Sequence, residues 1–295
     1  MKVWVKEYDN ILTAEMIRIW IRSNIEVLTF RGYQYMSEDD LLIVTISDLS
    51  VEKEKFYLYR IVQYEEIFTK LTKAIIEECE YNYDYYYLKN TLQAAREPNI
   101  HTLFTGSSYG LFGIDNKIMG TSANLSLISQ DLYYSLKGIY DVVENNSNIK
   151  NIVLCVGYYY FFSDLSRAGN KNEIMRITRV YNRIFGDMHN CCLLPPFQSM
   201  LPQSSIFDVE NVMDLWAISK CCNGYFNEGK LRKNSATKEW MDTSKNWIDL
   251  SKNEKRMAGK IRAEKHNKGI LRKGTFEENK KNIFRILQFL YGTRY

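Results

Sequence analysis

The sequence lacks several features that mark particular classes of protein. Only 4 of its 295 residues are Pro, while 22 are Tyr and 14 are Phe, which excludes collagen-like, Pro-rich and disordered chains. Its six cysteines nowhere show the C-x-x-C spacing of zinc and redox motifs, so we expect reduced thiols. A net charge of +4 gives no general reason to expect a nucleic-acid partner. With 45% apolar residues, the chain is expected to be globular.

The first twenty residues, "MKVWVKEYDNILTAEMIRIW", carry no recognisable targeting segment. Their charges are scattered, so they form neither the apolar core of a signal peptide nor a run of about 20 apolar residues. We therefore expect a cytoplasmic protein without a transmembrane segment. Export as part of a larger bacterial assembly is the alternative, and the sequence gives no signal for the oligomeric state.

Residues 1–50 predict a small α/β unit. Strand patterns occur in "KVWVKE", "IEVLTF" and "LLIVTIS", and a helical pattern occurs in "LTAEMIRIWIRSN". The unit resembles a degenerate Rossmann-like half-domain, but "EYDNIL" stands where a Gly-rich phosphate loop is needed. We expect a scaffold that binds no cofactor. Residues 51–99 then predict a helical connector, whose "YNYDYYY" either packs internally or stacks on a sugar or base.

Residues 100–295 predict a larger α/β domain. Strands are expected near 102–106, 121–125 and 151–157, with an amphipathic helix over about 129–145. Such alternation predicts a parallel sheet with helices on both faces, and we place the first strand between the other two. Binding sites in these sheets lie at the carboxyl ends of the strands.

The stretch "HTLFTGSSYGLFGID" places Gly106, Ser107 and Ser108 at such a strand end. Strand, Gly-x-Ser and helix in that order resemble the first block of the SGNH (GDSL-like) hydrolases. The resemblance implies that Ser108 is the acyl-accepting nucleophile and that Ser107 lies at the oxyanion or substrate site. A serine at the start of a helix lies beside N–H groups that stabilise an oxyanion. The alternative is an ordinary turn with a serine N-cap.

Two further blocks extend the resemblance over about residues 100–190. "ANLSLISQD" resembles the family's Asn-x-Gly-x-x-Gly loop, with Asn124 in place and Ser126 and Ser129 at the glycine positions. In "VLCVGYYYFF", Gly157 matches the glycine of Gly-x-Asn, but Tyr159 replaces the oxyanion-hole asparagine. The three blocks look most like divergent SGNH-like proteins of bacterial surface-polysaccharide loci, relatives of the teichoic-acid D-alanylation and alginate acetylation proteins. This likeness implies a three-layer, SGNH/flavodoxin-like domain without metal or cofactor.

The family's C-terminal Asp-x-x-His, which supplies the base and its orienting acid, is absent from this sequence. Either the terminal part of the domain is missing or the lineage has discarded the base, so enzymatic activity is left open. "IFGDMHNCC" offers a substitute, because Asp187 and His189 resemble the Asp-x-His pair of some alginate-acetylating relatives. The alternative is a plain turn, punctuated by Gly186 and Asn190.

Residues 229–275 form a basic segment that includes Trp240 and Trp247. This segment has three interpretations. It is a solvated helical face, a surface that binds an anionic polymer or a membrane, or an insertion that covers Ser108. The resemblance implies a serine esterase or O-acyltransferase that acts on a sugar, a glycopolymer or an acylated small molecule. A catalytically inactive binding or accessory protein with the same fold is the alternative.

Overall fold

A computed structural model describes most of the chain as an α/β protein with two all-parallel sheets. The described residues are 1–9, 11–48, 58–114, 119–192, 206–208, 211–212, 249–270 and 273–292. The chain divides into two compact units: Met1–Tyr81 with Gln198–Glu228, and Asn82–Phe197 with Gly229–Tyr295. Within the described ranges, no helix has the length and apolar character needed to span a bilayer.

Unit 1 contains a four-stranded parallel sheet in the order β2-β1-β3-β4. The predicted strands and helix of residues 1–50 lie where the sequence pattern places them. One detail is corrected: residues 60 to 63, which the sequence assigns to the helical connector, form strand β4. The four residues "RIVQ" are too few to stand out from the helical pattern around them. The elements are β1 Val3–Val5, α1 Ala14–Trp20, β2 Val27–Thr29, β3 Leu41–Val44, β4 Arg60–Gln63 and α2 Tyr64–Tyr81.

Alternating side chains explain why the sheet of unit 1 is buried on both faces. Val3, Val5 and Ile43 pack with Ile17 of α1 in one apolar cluster, while Trp4, Leu42 and Val44 form a second cluster. Parallel sheets need cover on both faces, which is why these strands read as continuous apolar runs.

A buried carboxylate fixes the start of this sheet. Asp40 is 3% exposed, and it accepts hydrogen bonds from the Lys2 N–H at 2.7 Å, the Trp4 indole at 3.0 Å and the Ser37 N–H at 3.1 Å. Burial raises the pKa of Asp40, but these three donors outweigh it and lower the pKa to about 2. The ionised carboxylate therefore ties the segment before β3 to the first residues of β1.

Asp40→Asn is expected to cost stability in a pH-dependent way. Because the pKa of Asp40 is lower in the folded state than in the unfolded state, where it is near 4, its ionised form stabilises the fold at pH values above about 4. That stability is lost as the pH falls through the folded-state pKa of about 2. The difference in unfolding free energy between wild type and Asp40→Asn is therefore expected to reach about 2 kcal/mol at pH 6 and to shrink towards pH 2. Urea denaturation at several pH values measures it, with the exposed neighbour changed in Asp39→Asn as control. A difference that does not vary with pH would contradict this assignment.

Unit 2 contains a three-stranded parallel sheet in the order β6-β5-β7. The predicted parallel strands, with the first between the other two, are confirmed. The elements are α3 Tyr83–Ala95, β5 Thr102–Gly106, α4 Ser108–Gly113, β6 Ser122–Asn124, α5 Leu132–Asn145, β7 Asn151–Cys155, α6 Lys171–Arg176, α7 Asn182–Phe185, α8 Lys252–Ile270 and α9 Lys273–Gly292. A 3-10 turn, Tyr158–Phe162, follows β7, and a π-helical segment, Ile177–Tyr181, joins α6 to α7.

Helix α5 begins slightly later than predicted because Asp131 caps it, accepting a hydrogen bond from the Tyr134 N–H at 3.1 Å. Its apolar side, with Leu132, Leu136 and Ile139, packs with Ile286 of α9 and Tyr160. Helix α8 contacts the 3-10 turn after β7. The two C-terminal helices therefore lie against the part of unit 2 in which the sequence places the site.

Candidate active site

The corner between β5 and α4, formed by Gly106, Ser107 and Ser108, lies at the carboxyl edge of the sheet. Gly106 has a φ of 143°, and a Cβ atom there would lie 2.2 Å from the Cys155 carbonyl oxygen. Glycine thus lets β5 approach β7 closely and turn sharply into α4. We call this three-residue turn the serine corner.

The two serines of the serine corner have different roles. Ser107 is 4% exposed and caps α4, its Oγ accepting from the Tyr109 N–H at 3.5 Å. Ser108 is the first residue of α4 and is half-buried. Within the described residues the Ser108 hydroxyl has no hydrogen-bond partner. Ser107 is therefore the predicted N-cap, while no group in the described part of the chain engages the Ser108 hydroxyl.

Asn124, at the end of β6, is held rigidly behind the serine corner. Its Nδ2 donates to the Gly110 carbonyl at 2.9 Å, and its Oδ1 accepts from the Ser126 N–H at 3.1 Å. The residue is 1% exposed. Its amide therefore connects α4 to the loop that follows β6.

Ser129, in the same loop, adopts a left-handed backbone with a φ of 55°. This conformation favours glycine, and the SGNH motif that this loop resembles has glycine at this position. The Ser129 Oγ donates to Glu173 Oε1 at 3.3 Å, so the structure gives its side chain a partner outside the serine corner.

Tyr159 reaches the serine corner from the turn that follows β7. Its ring centroid lies 6.2 Å from that of Tyr109, and Ser107 and Tyr109 are both close enough to its hydroxyl to shift its pKa. A Cβ at Gly157 would lie 2.7 Å from the Tyr159 ring, so glycine makes room for this ring. Burial raises the pKa of Tyr159 to about 12, against the opposing hydrogen bond from Ser107. Tyr159 is therefore a neutral phenol at physiological pH, able to donate one hydrogen bond.

Helix α8, part of the basic segment 229–275, lies against this tyrosine. The His266 ring stacks on Tyr159 with 3.8 Å between centroids, and the Tyr158 hydroxyl donates to Asn267 Oδ1 at 3.2 Å. One end of α8 therefore covers Tyr159 and Tyr158. Trp240 and Trp247 lie outside the described residues. His266 is an isolated histidine within the basic segment, and the sequence gives no signal for its place in this layer.

Asp187 is already engaged by several donors. Its carboxylate pairs with Lys137 Nζ at 2.8 Å, accepts from the Tyr133 hydroxyl and accepts from the His189 N–H at 2.7 Å. Burial raises the pKa of Asp187, but these donors outweigh it and lower the pKa to about 2. Asp187 thus fixes the backbone of His189, and the ion pairs of the His189 ring are with other carboxylates.

The His189 ring faces two other carboxylates. Its Nε2 lies 2.9 Å from Glu278 Oε1, and its Nδ1 lies 3.8 Å from Asp164 Oδ1. The ring also stacks on Tyr133 with 3.8 Å between centroids. Among the described side chains, no hydrogen bond joins His189 to Ser108, so its role as the base stays a prediction.

Sequence reasoning missed the acidic residues around His189. Asp131 caps α5, and Asp164 caps a second 3-10 turn, Leu165–Arg167. Their only sequence signal is that capping position. With His189 they bring three metal-ligating side chains together, one atom of each lying within 4.8 Å of the others. We call these three residues the Asp–His cluster.

Comparison of the chain with protein-family models, with curated protein sequences and with solved structures found no match. The class of the protein is thus defined by its fold and site alone. It is an α/β protein with parallel sheets and a serine at a strand-to-helix corner.

Proposed function

We propose that unit 2 is a three-layer, SGNH/flavodoxin-like domain that acts as a serine esterase or O-acyltransferase, with Ser108 accepting the acyl group. The observation that carries this proposal is the meeting of three separate sequence blocks at one edge of the sheet. Asn124 ends β6, and Ser108 and Tyr159 follow β5 and β7; the carboxyl ends of these three adjacent strands point the same way. Sites in parallel sheets form at that edge.

Local backbone geometry supports the same proposal. Ser108 sits at the first position of α4, where N–H groups at the start of a helix are available to an oxyanion. The left-handed φ of Ser129 occurs where the family motif has glycine. Tyr159 brings a neutral hydroxyl to the serine corner, so a phenol takes the place of the family's amide donor.

The substrate class follows from the family resemblance and from the aromatic residues at the serine corner. Tyr109 and Tyr158 are 47% and 57% exposed, beside the half-buried Ser108. Exposed aromatic rings suit the apolar faces of sugars. We propose an acylated sugar or surface glycopolymer of a bacterial polysaccharide locus as the substrate.

A catalytically inactive binding or accessory protein is the second candidate, and one observation favours it. Both nitrogens of His189 face carboxylates, Glu278 and Asp164, whereas a general base must reach the serine hydroxyl directly or through one water. For His189 to serve Ser108, its ring would have to leave both of these partners.

Reaction with a fluorophosphonate probe separates the two candidates. We expect the full chain to be labelled on Ser108, identified by mass spectrometry of the peptide, because the probe reports a nucleophilic serine with an oxyanion site. Ser108→Ala is expected to abolish labelling. Ser147→Ala, which changes an exposed serine after α5, is expected to leave labelling unchanged.

The probe result has a clear opposite outcome. Absence of labelling under conditions that label a control serine esterase would reject the enzyme and leave the binding protein. Labelling that persists in Ser108→Ala, or in heat-denatured protein, would show that the reaction is not at this site.

A further inference from the structure

The Asp–His cluster combines buried charge with an unsatisfied nitrogen. Asp131 and Asp164 are 2% and 5% exposed, and the His189 side chain is 9% exposed. The His189 Nδ1 is buried without a hydrogen-bond partner in the described part of the chain. Buried polar atoms are nearly always satisfied, so this nitrogen points to a missing ligand.

The tautomer of His189 follows from its neighbour. The contact of Nε2 with Glu278 Oε1 at 2.9 Å is shorter than its contact with the Asn190 Nδ2 at 3.2 Å. Because a carboxylate only accepts hydrogen bonds, the shorter contact favours a ring proton on Nε2. Nδ1 then keeps its lone pair, directed to the side of Asp164. A carboxylate that holds one ring nitrogen while the other binds a metal is the usual outer-shell arrangement of metal-binding histidines.

The negative charge of the two aspartates in the Asp–His cluster is only partly neutralised by described cations. Asp164 pairs with Arg167 Nε at 3.2 Å, but among the described residues no cation pairs with Asp131. Burying a carboxylate without a cation is costly. Asp131 accepts from the N–H groups of Tyr134 and Leu165, which orient it and leave further lone pairs for a ligand.

From this arrangement we propose that Asp131, Asp164 and His189 bind a divalent transition-metal ion such as Zn²⁺. Ligand atoms about 2.1 Å from a metal lie roughly 3 to 4 Å from one another. The three donor atoms lie within 4.8 Å of one another, and Nδ1 and Asp164 Oδ1 are 3.8 Å apart, which is close to the spacing that a shared ion requires. One imidazole with two carboxylates suits Zn²⁺, Mn²⁺ and similar ions. Glu278, 38% exposed, places the outer side of the site at the surface.

Binding of this ion joins three segments that are distant in sequence. Asp131 precedes α5, Asp164 follows the turn after β7, and His189 follows α7. With its Nδ1 on the metal, His189 is not available as the base for Ser108. The inference does not rest on the proposed function, because labelling of Ser108 and metal binding have separate readouts and either can fail alone.

Titration of the EDTA-treated, desalted full chain with Co²⁺ tests the site. We expect one equivalent to bind with visible bands of oxygen and nitrogen ligands and without thiolate charge-transfer bands, which separates this site from the cysteines. Zn²⁺ is expected to displace Co²⁺ and to raise the melting temperature by mass action. Asp131→Asn, which keeps a residue able to cap α5, and Asp164→Asn are each expected to weaken binding at least about tenfold.

Two further variants sharpen the result. Glu278→Gln is expected to weaken binding about 10- to 100-fold, as loss of an outer-shell partner does. Asp141→Asn, on the same helix α5, is expected to leave the metal affinity unchanged. No stoichiometric binding, thiolate bands, or equal binding by the Asp131 and Asp164 variants would overturn the proposal, and His189 would then be an imidazolium between two carboxylates. If a variant fails to fold, the wild-type spectrum and the Zn²⁺-induced melting shift decide.

Discussion

Gly106→Ala is expected to destabilise unit 2 by about 3 kcal/mol or more. The φ of 143° at Gly106 is one that an alanine rarely adopts, and the added Cβ would lie 2.2 Å from the Cys155 carbonyl oxygen. That oxygen belongs to the backbone of β7, paired in register with Gly106, so no side-chain rotation relieves the clash. Either β5 and β7 separate or the serine corner changes its conformation.

Hydrogen exchange read by mass spectrometry measures this effect locally. We expect Gly106→Ala to lose protection in peptides that contain β5 and β7, while peptides from unit 1 stay protected. Gly113→Ala is the matched control, because no described atom lies within 4 Å of a Cβ at the last residue of α4. Alanine there removes a glycine from a helix and is expected to be neutral or mildly stabilising. Equal protection in Gly106→Ala and wild type would contradict the close approach of β5 and β7.

Much of the sheet architecture can be predicted from sequence because apolar runs and turn residues are local signals. The strands of unit 2 were predicted with their parallel pairing and order, since "TLFTG" and "KNIVLCVG" flank an amphipathic helix that covers a sheet. Strand β4 was missed because four residues before a long helix carry too little periodicity to be recognised. Local patterns therefore predicted the long elements better than the short ones.

The candidate site divides in the same way. The serine corner could be predicted from sequence because its residues are adjacent, and Gly106, Ser107 and Ser108 take the turn that the motif implies. The surroundings of His189 could not, because Asp131, Asp164 and Glu278 reach it from three other segments. Spacing along the chain paired His189 with Asp187, whose carboxylate accepts from the His189 N–H and also pairs with Lys137. Contacts between distant segments depend on packing, which a single sequence does not reveal.

Breaking the buried ion pair between α3 and α6 is expected to have a comparably large effect. Arg176 Nη1 lies 2.8 Å from Asp84 Oδ2, and the two side chains are 5% and 11% exposed. Burial disfavours the guanidinium charge, but the Asp84 carboxylate outweighs it and raises the pKa of Arg176. Asp84→Asn leaves that charge buried without its partner, which typically costs about 3 to 5 kcal/mol. Urea denaturation at neutral pH measures the loss.

An exposed pair in the same unit provides the control for Asp84→Asn. Arg96 Nη2 and Asp141 Oδ1 are 2.9 Å apart, but their side chains are 45% and 26% exposed, so Asp141→Asn is expected to cost at most about 1 kcal/mol. Added salt should weaken this exposed pair and leave the buried pair nearly unchanged. The double variant Asp84→Leu/Arg176→Met is expected to recover much of the loss, because two apolar side chains leave no unpaired charge. If Asp84→Asn and Asp141→Asn cost the same, solvent must reach Arg176, and the buried contact between α3 and α6 would be wrong.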